Sequence, residues 1–284
     1  MMTTRIAAVL IVLNVFALGS MGQTSGPCGT VSENDKRAAQ ELWEKAIVAK
    51  GGRQRLHQVE SLLISSRAPH RWDRPGFEGM DSHHEELYVF PNKFWGWFDD
   101  RPSRFGLSAG AFNGQTNWLV REGDPESPRR VGPSENAVFF PLRAQTYFLM
   151  ETRWVRPLPL KVKPGHVGGG KVDVLCAALD RYKVIYYLDR KTHLPVKALL
   201  LTSDLDQDDE DTVDAFAAVL AEYTNVQGIQ MPLKAGWGPS ADLNFSFQIN
   251  VDYDPTIFET PPKLEAGPEA WKRGKRASPP PPSK

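Results

Sequence analysis

The sequence predicts an α+β fold that is mainly β and is built around an antiparallel sheet. The strongest observation is an alternation near the C-terminus, where apolar residues occupy every second position from 243 to 253 and polar residues separate them. One face of such a strand is apolar and the other polar, as in an antiparallel sheet with one wet face. The 8 Trp, 23 Gly and 23 Pro among the 284 residues also favour many short strands joined by turns.

The overall composition narrows the class of protein. A hydrophobic content of 41% supports a packed core. The 34 basic and 34 acidic residues balance, which gives no reason to expect nucleic acid as a partner. The two cysteines, Cys28 and Cys176, exclude a disulfide-dense scaffold. Whether they form one disulfide in an oxidising compartment or stay apart is left open by the sequence.

Residues 1–22 have the pattern of a secretory signal peptide. Arg5 precedes an apolar stretch from Ile6 to Leu18, and small residues follow up to Gly22. The apolar stretch is too short to cross a bilayer as a helix, which favours cleavage near Gly22 over an uncleaved anchor. We therefore expect an exported protein.

Residues 260–284 are predicted to form a disordered, basic, proline-rich tail. They contain seven Pro and six Lys or Arg but only two Glu, and such a segment buries too little surface to fold. One folded domain is therefore expected over residues 23–259. Within it, the acidic run from Asp204 to Asp214 is expected to be a solvated loop.

The first element of this domain is predicted to be a helix. Ser32 and Asp35 form a capping-box-like start, and Gly51-Gly52 ends the run. Between them, apolar residues recur at helical spacing. These are Ala38, Ala39, Leu42, Trp43, Ala46 and Ile47.

After this helix the dominant period is two, which predicts strands. The predicted strands cover 59–66, 85–90, 94–98, 118–121, 172–179, 182–189 and 194–203. A second helix is expected within 134–150, broken or restarted at Pro141. The alanines of 215–223 favour helix, but the turn at 225–229 and the strand-like residues after it make a hairpin the preferred interpretation.

Four stretches resemble a broad group of exported bacterial proteins similar to the lipoprotein carriers LolA and LolB. The stretches are Ala49-Lys50-Gly51-Gly52 with the residues up to Leu62, Leu188 to Val196, Glu222 to Pro232, and Ile249 to Pro261. Each motif is degenerate, so the specificity lies in their order and spacing. The resemblance covers most of residues 40–261.

This resemblance implies a strongly curved antiparallel half-barrel sheet with helices packed on its concave face and an apolar cavity between them. Carriers of this kind bind acyl chains of lipoproteins in the periplasm and have no catalytic residues. On this interpretation the cavity candidates are apolar residues that share one face of their strand. They are Leu87, Val89, Trp95, Trp97, Phe245, Phe247 and Ile249. The alternative is that these side chains simply form the core.

The cofactor and metal motifs in the sequence are all incomplete, so we expect neither. A P-loop-like spacing from Gly165 to Lys171 lacks the Ser or Thr that should follow, because Val172 stands there. The run from Asp204 lacks the Gly and the final Glu of an EF-hand loop. His83 and His84 are adjacent, and on a strand adjacent side chains point to opposite faces, which argues against zinc.

The function expected from these observations is non-catalytic binding of a lipid or lipoprotein acyl chain in the bacterial periplasm. Two alternatives are kept. In one, the same fold is an interaction or sensor module for an envelope protein partner. In the other, the protein is a hydrolase whose site is assembled from residues distant in sequence.

Overall fold

The structure is a computed structural model that describes residues 28–68, 76, 79–102, 105–131, 135–202, 217–237 and 243–272. The predicted signal peptide (1–22), the acidic run (204–214) and the last twelve residues of the predicted tail (273–284) lie outside these residues. Among the described residues, no helix is both long and apolar enough to span a membrane.

Within the described residues, thirteen antiparallel strands form one open sheet. They are β1 (Ser61–Ala68), β2 (Ser82–Val89), β3 (Lys93–Asp100), β4 (Gly106–Phe112), β5 (Asn117–Arg121), β6 (Arg129–Val131), β7 (Leu158–Val167), β8 (Gly170–Leu179), β9 (Tyr182–Asp189), β10 (Pro195–Thr202), β11 (Ala217–Val226), β12 (Ile229–Trp237) and β13 (Leu243–Ile249). The spatial order is β6-β5-β4-β3-β2-β1-β13-β12-β11-β10-β9-β8-β7. Two meanders therefore meet at the β1–β13 pair, and β6 and β7 are the edges.

The helices are α1 (Glu33–Lys50), α2 (Arg53–His57) and α3 (Glu135–Ala144), which continues as a π-helix (Gln145–Leu149). The predicted capping box of α1 is confirmed, because the Asp35 amide donates to Ser32 Oγ at 3.1 Å and the Ser32 amide donates to Asp35 Oδ2 at 2.8 Å. The predicted second helix is also present, but the prediction that it breaks or restarts at Pro141 is wrong, because α3 continues through this residue.

Most predicted strands are confirmed, and β11 and β12 form the predicted hairpin over 217–237. The P-loop-like segment from Gly165 to Lys171 contains the turn between β7 and β8. The strands β4, β6 and β7 were not predicted. β6 is only three residues long, and β4 and β7 contain Gly or Pro residues, which weaken the alternating pattern that identifies a strand.

Helix α1, helix α3 and the π-helix cover the same, concave face of the sheet, which we call the inner face. Helix α1 packs on β7, β8 and β12, α3 packs on β2 and β3, and the π-helix packs on β10 and β12. Strand β1 illustrates the alternation, because Leu62 and Ile64 belong to the inner core and Leu63 belongs to a second cluster on the outer face. The predicted mainly β half-barrel with internal helices is confirmed by this arrangement.

The chain after β13 covers part of the outer face, and we call residues 251–272 the strap. Phe258 and Trp271 of the strap are buried in the outer cluster, and the Trp97 Nε1 donates to the Leu264 carbonyl at 3.3 Å. This corrects the prediction that a disordered tail begins at residue 260. The basic, proline-rich composition suggested disorder, but Leu264 and Trp271 pack on the outer cluster.

Cys28 and Cys176 form a disulfide, with their Cα atoms 5.7 Å apart. This settles the alternative that the sequence left open. The bond attaches the segment before α1 to β8, and Lys161 of β7 supports the same segment by donating to the Thr30 carbonyl at 2.8 Å. The start of the described chain is therefore fixed to the sheet.

Candidate functional site

The seven cavity candidates do not lie together. Phe245, Phe247 and Ile249 lie in the inner core, where both phenylalanine rings pack against Phe148 of the π-helix at centroid distances of 5.8 and 5.3 Å. Leu87, Trp95 and Trp97 lie in the outer cluster beneath the strap, and Val89 packs against it. In β2 and β3 both faces carry large apolar residues, so the alternation alone could not identify the face that meets the helices.

Aromatic rings line the inner face of β2, β3 and β4, and we call this group of rings, together with Phe140 of α3, the aromatic wall. Its members are Tyr88, Phe94, Phe98, Phe112 and Phe140. Phe94 lies at its centre, 5.2 Å from Tyr88, 6.4 Å from Phe98 and 5.3 Å from Phe140 between ring centroids. The Phe94 and Phe140 rings are stacked, with 19° between their planes. Sequence reasoning missed this wall because it selected the opposite alternation in β2 and β3.

Gly96 allows two of these rings to lie flat on the sheet. A Cβ atom placed on Gly96 would come within 2.6 Å of ring atoms of both Phe94 and Phe98. Glycine inside a strand often marks such a close approach. Its partner on β4 is Gly110, where a Cβ would meet its nearest atom, the Trp118 carbonyl oxygen, at 3.5 Å. The wall is therefore a flat apolar surface of rings laid over a glycine.

Helix α3 covers the wall only in part. Phe140 is 37% exposed, although its ring stacks on Phe94. Phe98 and Leu119, the inner-face neighbours on β3 and β5, are half-buried. An apolar surface that stays partly open in a folded protein is a candidate ligand site.

Polarity rises along the inner face from the wall towards one end of the strands. Successive rows across β1 to β4 are Leu62, Tyr88, Phe94 and Phe112, then Ile64, Glu86, Gly96 and Gly110, then Ser66, His84, Phe98 and Ser108. The first row is wholly apolar except for one phenol, and the third contains two hydroxyls and an imidazole. A surface with this gradient matches a ligand that has an apolar body and a polar end.

Two ion-pair and hydrogen-bond contacts occupy the polar end of this surface. His84 Nε2 lies 2.9 Å from Asp100 Oδ1, and the Tyr88 hydroxyl donates to Glu86. Burial lowers the pKa of His84, but the hydrogen bond and charge of Asp100 outweigh it and raise the pKa above its usual value. Burial raises the pKa of Asp100, but His84 outweighs it, so that pKa is lowered. The pair is thus favoured as imidazolium and carboxylate.

The outer face holds one group that resembles a hydrolase constellation. His83 Nε2 lies 3.5 Å from Ser65 Oγ and 3.3 Å from Glu85 Oε1. A catalytic triad needs the hydroxyl and the carboxylate on different ring nitrogens, so that one orients the imidazole and the other transfers the proton. Here both contacts fall on Nε2, so this group lacks triad geometry.

The described residues contain no group of three His, Cys, Asp or Glu side chains placed to hold a metal ion. The adjacent His83 and His84 do lie on opposite faces, as expected for a strand, since His83 contacts Ser65 and His84 contacts Asp100. The chemistry available at the aromatic wall is therefore apolar binding next to a charged hydrogen-bonded pair.

No protein-family model and no curated protein matches this sequence. Among solved structures, the chain is similar to a LolA superfamily protein from Nitrosomonas europaea, with 15% identity and a TM-score of 0.43, over 78% of this chain and 96% of that one. It is also similar to a putative outer membrane lipoprotein-sorting protein domain from Vibrio parahaemolyticus, with 13% identity and a TM-score of 0.39, over 79% of this chain and 97% of that one. A third similar structure is the MucA/MucB complex from Pseudomonas aeruginosa, with 15% identity and a TM-score of 0.24, over 78% of this chain and 61% of that one. With identities below 25% and TM-scores below 0.5, these similarities carry no argument, and the fold described above rests on the open antiparallel sheet of the described residues.

Proposed function

We propose that this protein binds the apolar chain of a lipid or lipoprotein acyl group at the aromatic wall, without catalysis. One observation carries the proposal. Phe140 of α3 stacks on Phe94 of the sheet yet keeps 37% of its surface exposed, so an apolar chain can extend this stack without a new cavity being opened. We also propose that the protein acts after export, in the periplasm.

The energy available at such a surface is sufficient for binding. An acyl chain gains about 0.8 kcal/mol for each CH2 that it buries, so ten buried methylenes contribute about 8 kcal/mol. Association and the ordering of α3 side chains against the ligand oppose this gain. Burial of a moderate length of chain therefore supports reversible binding of the kind that a carrier needs.

The proposal is tested by titrating the purified protein with 11-(dansylamino)undecanoic acid and displacing the probe with palmitate. Phe140→Asp places a charge on the wall and is expected to weaken probe binding at least tenfold. Leu158→Asp is the matched control, because Leu158 is 61% exposed on the edge strand β7, and binding should not change. Absence of saturable binding to the wild-type protein, or equal affinities for all three proteins, contradicts the proposal.

Export has its own test. Expression of the full chain in a bacterium and fractionation of the cells should place the protein in the periplasm. Sequencing of its N-terminus should begin at Gln23, following cleavage after Gly22. A cytoplasmic protein that begins at Met1 contradicts this part of the proposal.

A second candidate, interaction with an envelope protein, is favoured by the position of the basic C-terminal sequence. Lys272, Arg273, Lys275 and Arg276 follow directly on Trp271, which is fixed in the outer cluster. The sequence thus continues from this fixed residue with Lys or Arg at four of the next five positions. The test is deletion of 273–284, because a longer deletion would also remove Trp271. Loss of a specific envelope protein from pull-downs, with unchanged stability, supports this function, and unchanged pull-downs contradict it.

A further inference from the structure

The sheet is divided between β12 and β13. The two strands are bridged only at Lys234–Asn244 and Ala235–Leu243. On their other sides both are well paired, β12 with β11 from Ile229 onwards and β13 with β1 over 244–249. Residues 229–233 and 245–249, all of which the structure describes, therefore flank each other without a bridge, and we call this region the strand gap.

Two local features of the sequence explain where the β12–β13 ladder stops. Pro232 has no amide hydrogen, so it cannot complete hydrogen bonds on both sides of a central strand. Glu222 of β11 has a positive φ of 54°, and the β11–β12 ladder skips Glu222 and Leu233 while it pairs the residues on either side of them. Leu233 is thus bridged to neither neighbouring strand.

The backbone at the strand gap is protected against pairing with another strand. The buried Lys50 ammonium, at the end of α1, donates to the Gln230 carbonyl. The Gln227 side-chain amide donates to the Ile249 carbonyl at 3.4 Å. Together with Pro232, these contacts remove hydrogen-bonding groups that would otherwise template a strand. An extended peptide is therefore a poorer match for the gap than an apolar chain.

The side chains on the inner face of the gap are apolar. Leu233 lies between the core residues Met231 and Ala235 in the alternation of β12, yet it is 40% exposed. Across the gap are Phe245 and Phe247, whose rings are stacked at 5.9 Å and contact Phe148 in the inner core. An exposed leucine thus lies on one side of the gap, and buried aromatic rings lie on the other.

We infer that the strand gap is the portal through which an acyl chain passes between β12 and β13 into the inner core. This inference rests on the proposed function and adds to it the route of the ligand. It assigns Leu233 to the mouth of the portal, and Phe245 and Phe247 to its inner side. The acyl chain would thus enter between two strands of the half-barrel sheet, which are distant in sequence from α3 and the aromatic wall.

The test is the association rate of 11-(dansylamino)undecanoic acid, measured by stopped-flow fluorescence with the full chain. Leu233→Asp charges the mouth and Leu233→Trp narrows it without adding charge, and both are surface substitutions that leave the core intact. We expect both to slow association at least fivefold, with saturation of the probe signal retained. Leu158→Asp and Leu158→Trp are the matched controls and should associate at the wild-type rate.

The outcomes separate the portal from the proposed function. Wild-type rates in both Leu233 variants, with tight binding retained, overturn the portal and leave acyl binding standing. The same result together with slow association in Phe140→Asp would place the entrance beside α3. If the wild-type protein binds no probe, the proposed function and the portal both fail.

Discussion

Arg53 and Glu151 form an ion pair between α2 and the end of the π-helix, with Arg53 Nε 2.7 Å from Glu151 Oε1. His57 Nε2 lies 2.7 Å from the same oxygen, and Trp43 Nε1 donates to Oε2 at 3.1 Å. The Glu151 side chain is 4% exposed. One buried carboxylate, just after the π-helix, therefore joins α1 and α2 to this part of the chain.

Glu151→Gln is expected to lower the free energy of unfolding by about 3 kcal/mol, because it removes a buried charge that accepts from Trp43 and Arg53 and leaves Arg53 only the half-exposed Glu44 as a counter-ion. Urea unfolding followed by tryptophan fluorescence measures this change. Glu44→Gln is the matched control, since Glu44 also binds Arg53 but is half exposed, and its loss should cost below about 1 kcal/mol. Equal costs for the two variants would show that Glu151 is not the joining group.

The same carboxylate makes stability depend on acidity. Burial raises the pKa of Glu151, but its hydrogen bonds from Arg53 and His57 outweigh burial and lower the pKa below its usual value. Its contribution is therefore present above the pKa of an unfolded glutamate and is lost as the pH falls through the lower folded pKa. Between pH 6 and pH 3 the wild-type protein should lose more stability than Glu151→Gln. Parallel pH profiles would contradict this assignment.

The buried Lys50 should make the free energy of unfolding depend on pH in the alkaline range. Burial lowers the pKa of its ammonium to about 7, and it contacts only the Gln230 carbonyl and the face of the Tyr223 ring, 4.9 Å away, among the contacts described. The unfolded lysine holds its proton up to a higher pH, so stability should rise between pH 7 and pH 10. Lys50→Met should flatten this rise in urea unfolding experiments. Lys45→Met, an exposed change on the same helix, should leave the rise as it is.

Gly96 predicts a steric effect on the aromatic wall. Gly96→Ala should lower the free energy of unfolding by about 1–3 kcal/mol, because the new methyl group displaces the Phe94 and Phe98 rings. It should also weaken probe binding. Gly110→Ala is the matched control on the paired position of β4, where the contact is an ordinary 3.5 Å, and thermal unfolding should show a smaller change. A larger loss at Gly110 would contradict the described ring packing.

Trp271 predicts that the strap is part of the folded domain. Trp271→Ala should cost about 3–5 kcal/mol, the usual cost of removing a buried tryptophan. Deletion of 273–284 is the control and should leave the urea midpoint unchanged. If Trp271→Ala is as stable as the wild-type protein, the strap does not contribute to the core and the domain ends near residue 259, as the sequence predicted.

The sequence by itself determined the local elements and their order. The capping box at Ser32, the alternation of β13 and the hairpin of β11 and β12 depend on neighbouring residues only, and each is present in the structure. The alternating pattern continued to residue 253, but β13 ends at Ile249, and Val251 and Tyr253 pack on the outer face. These signals are readable because backbone period and capping are local properties. They also sufficed for the mainly β class and for the resemblance to half-barrel carriers.

Only the tertiary structure decided which face of β2 and β3 meets the helices, because apolar residues line both faces there. It placed Trp95 and Trp97 beneath the strap and Phe94 against α3. It also decided the Cys28–Cys176 bond and the interruption between β12 and β13. Each of these depends on segments that are distant in the chain, and their packing sets burial in a way that no local pattern records.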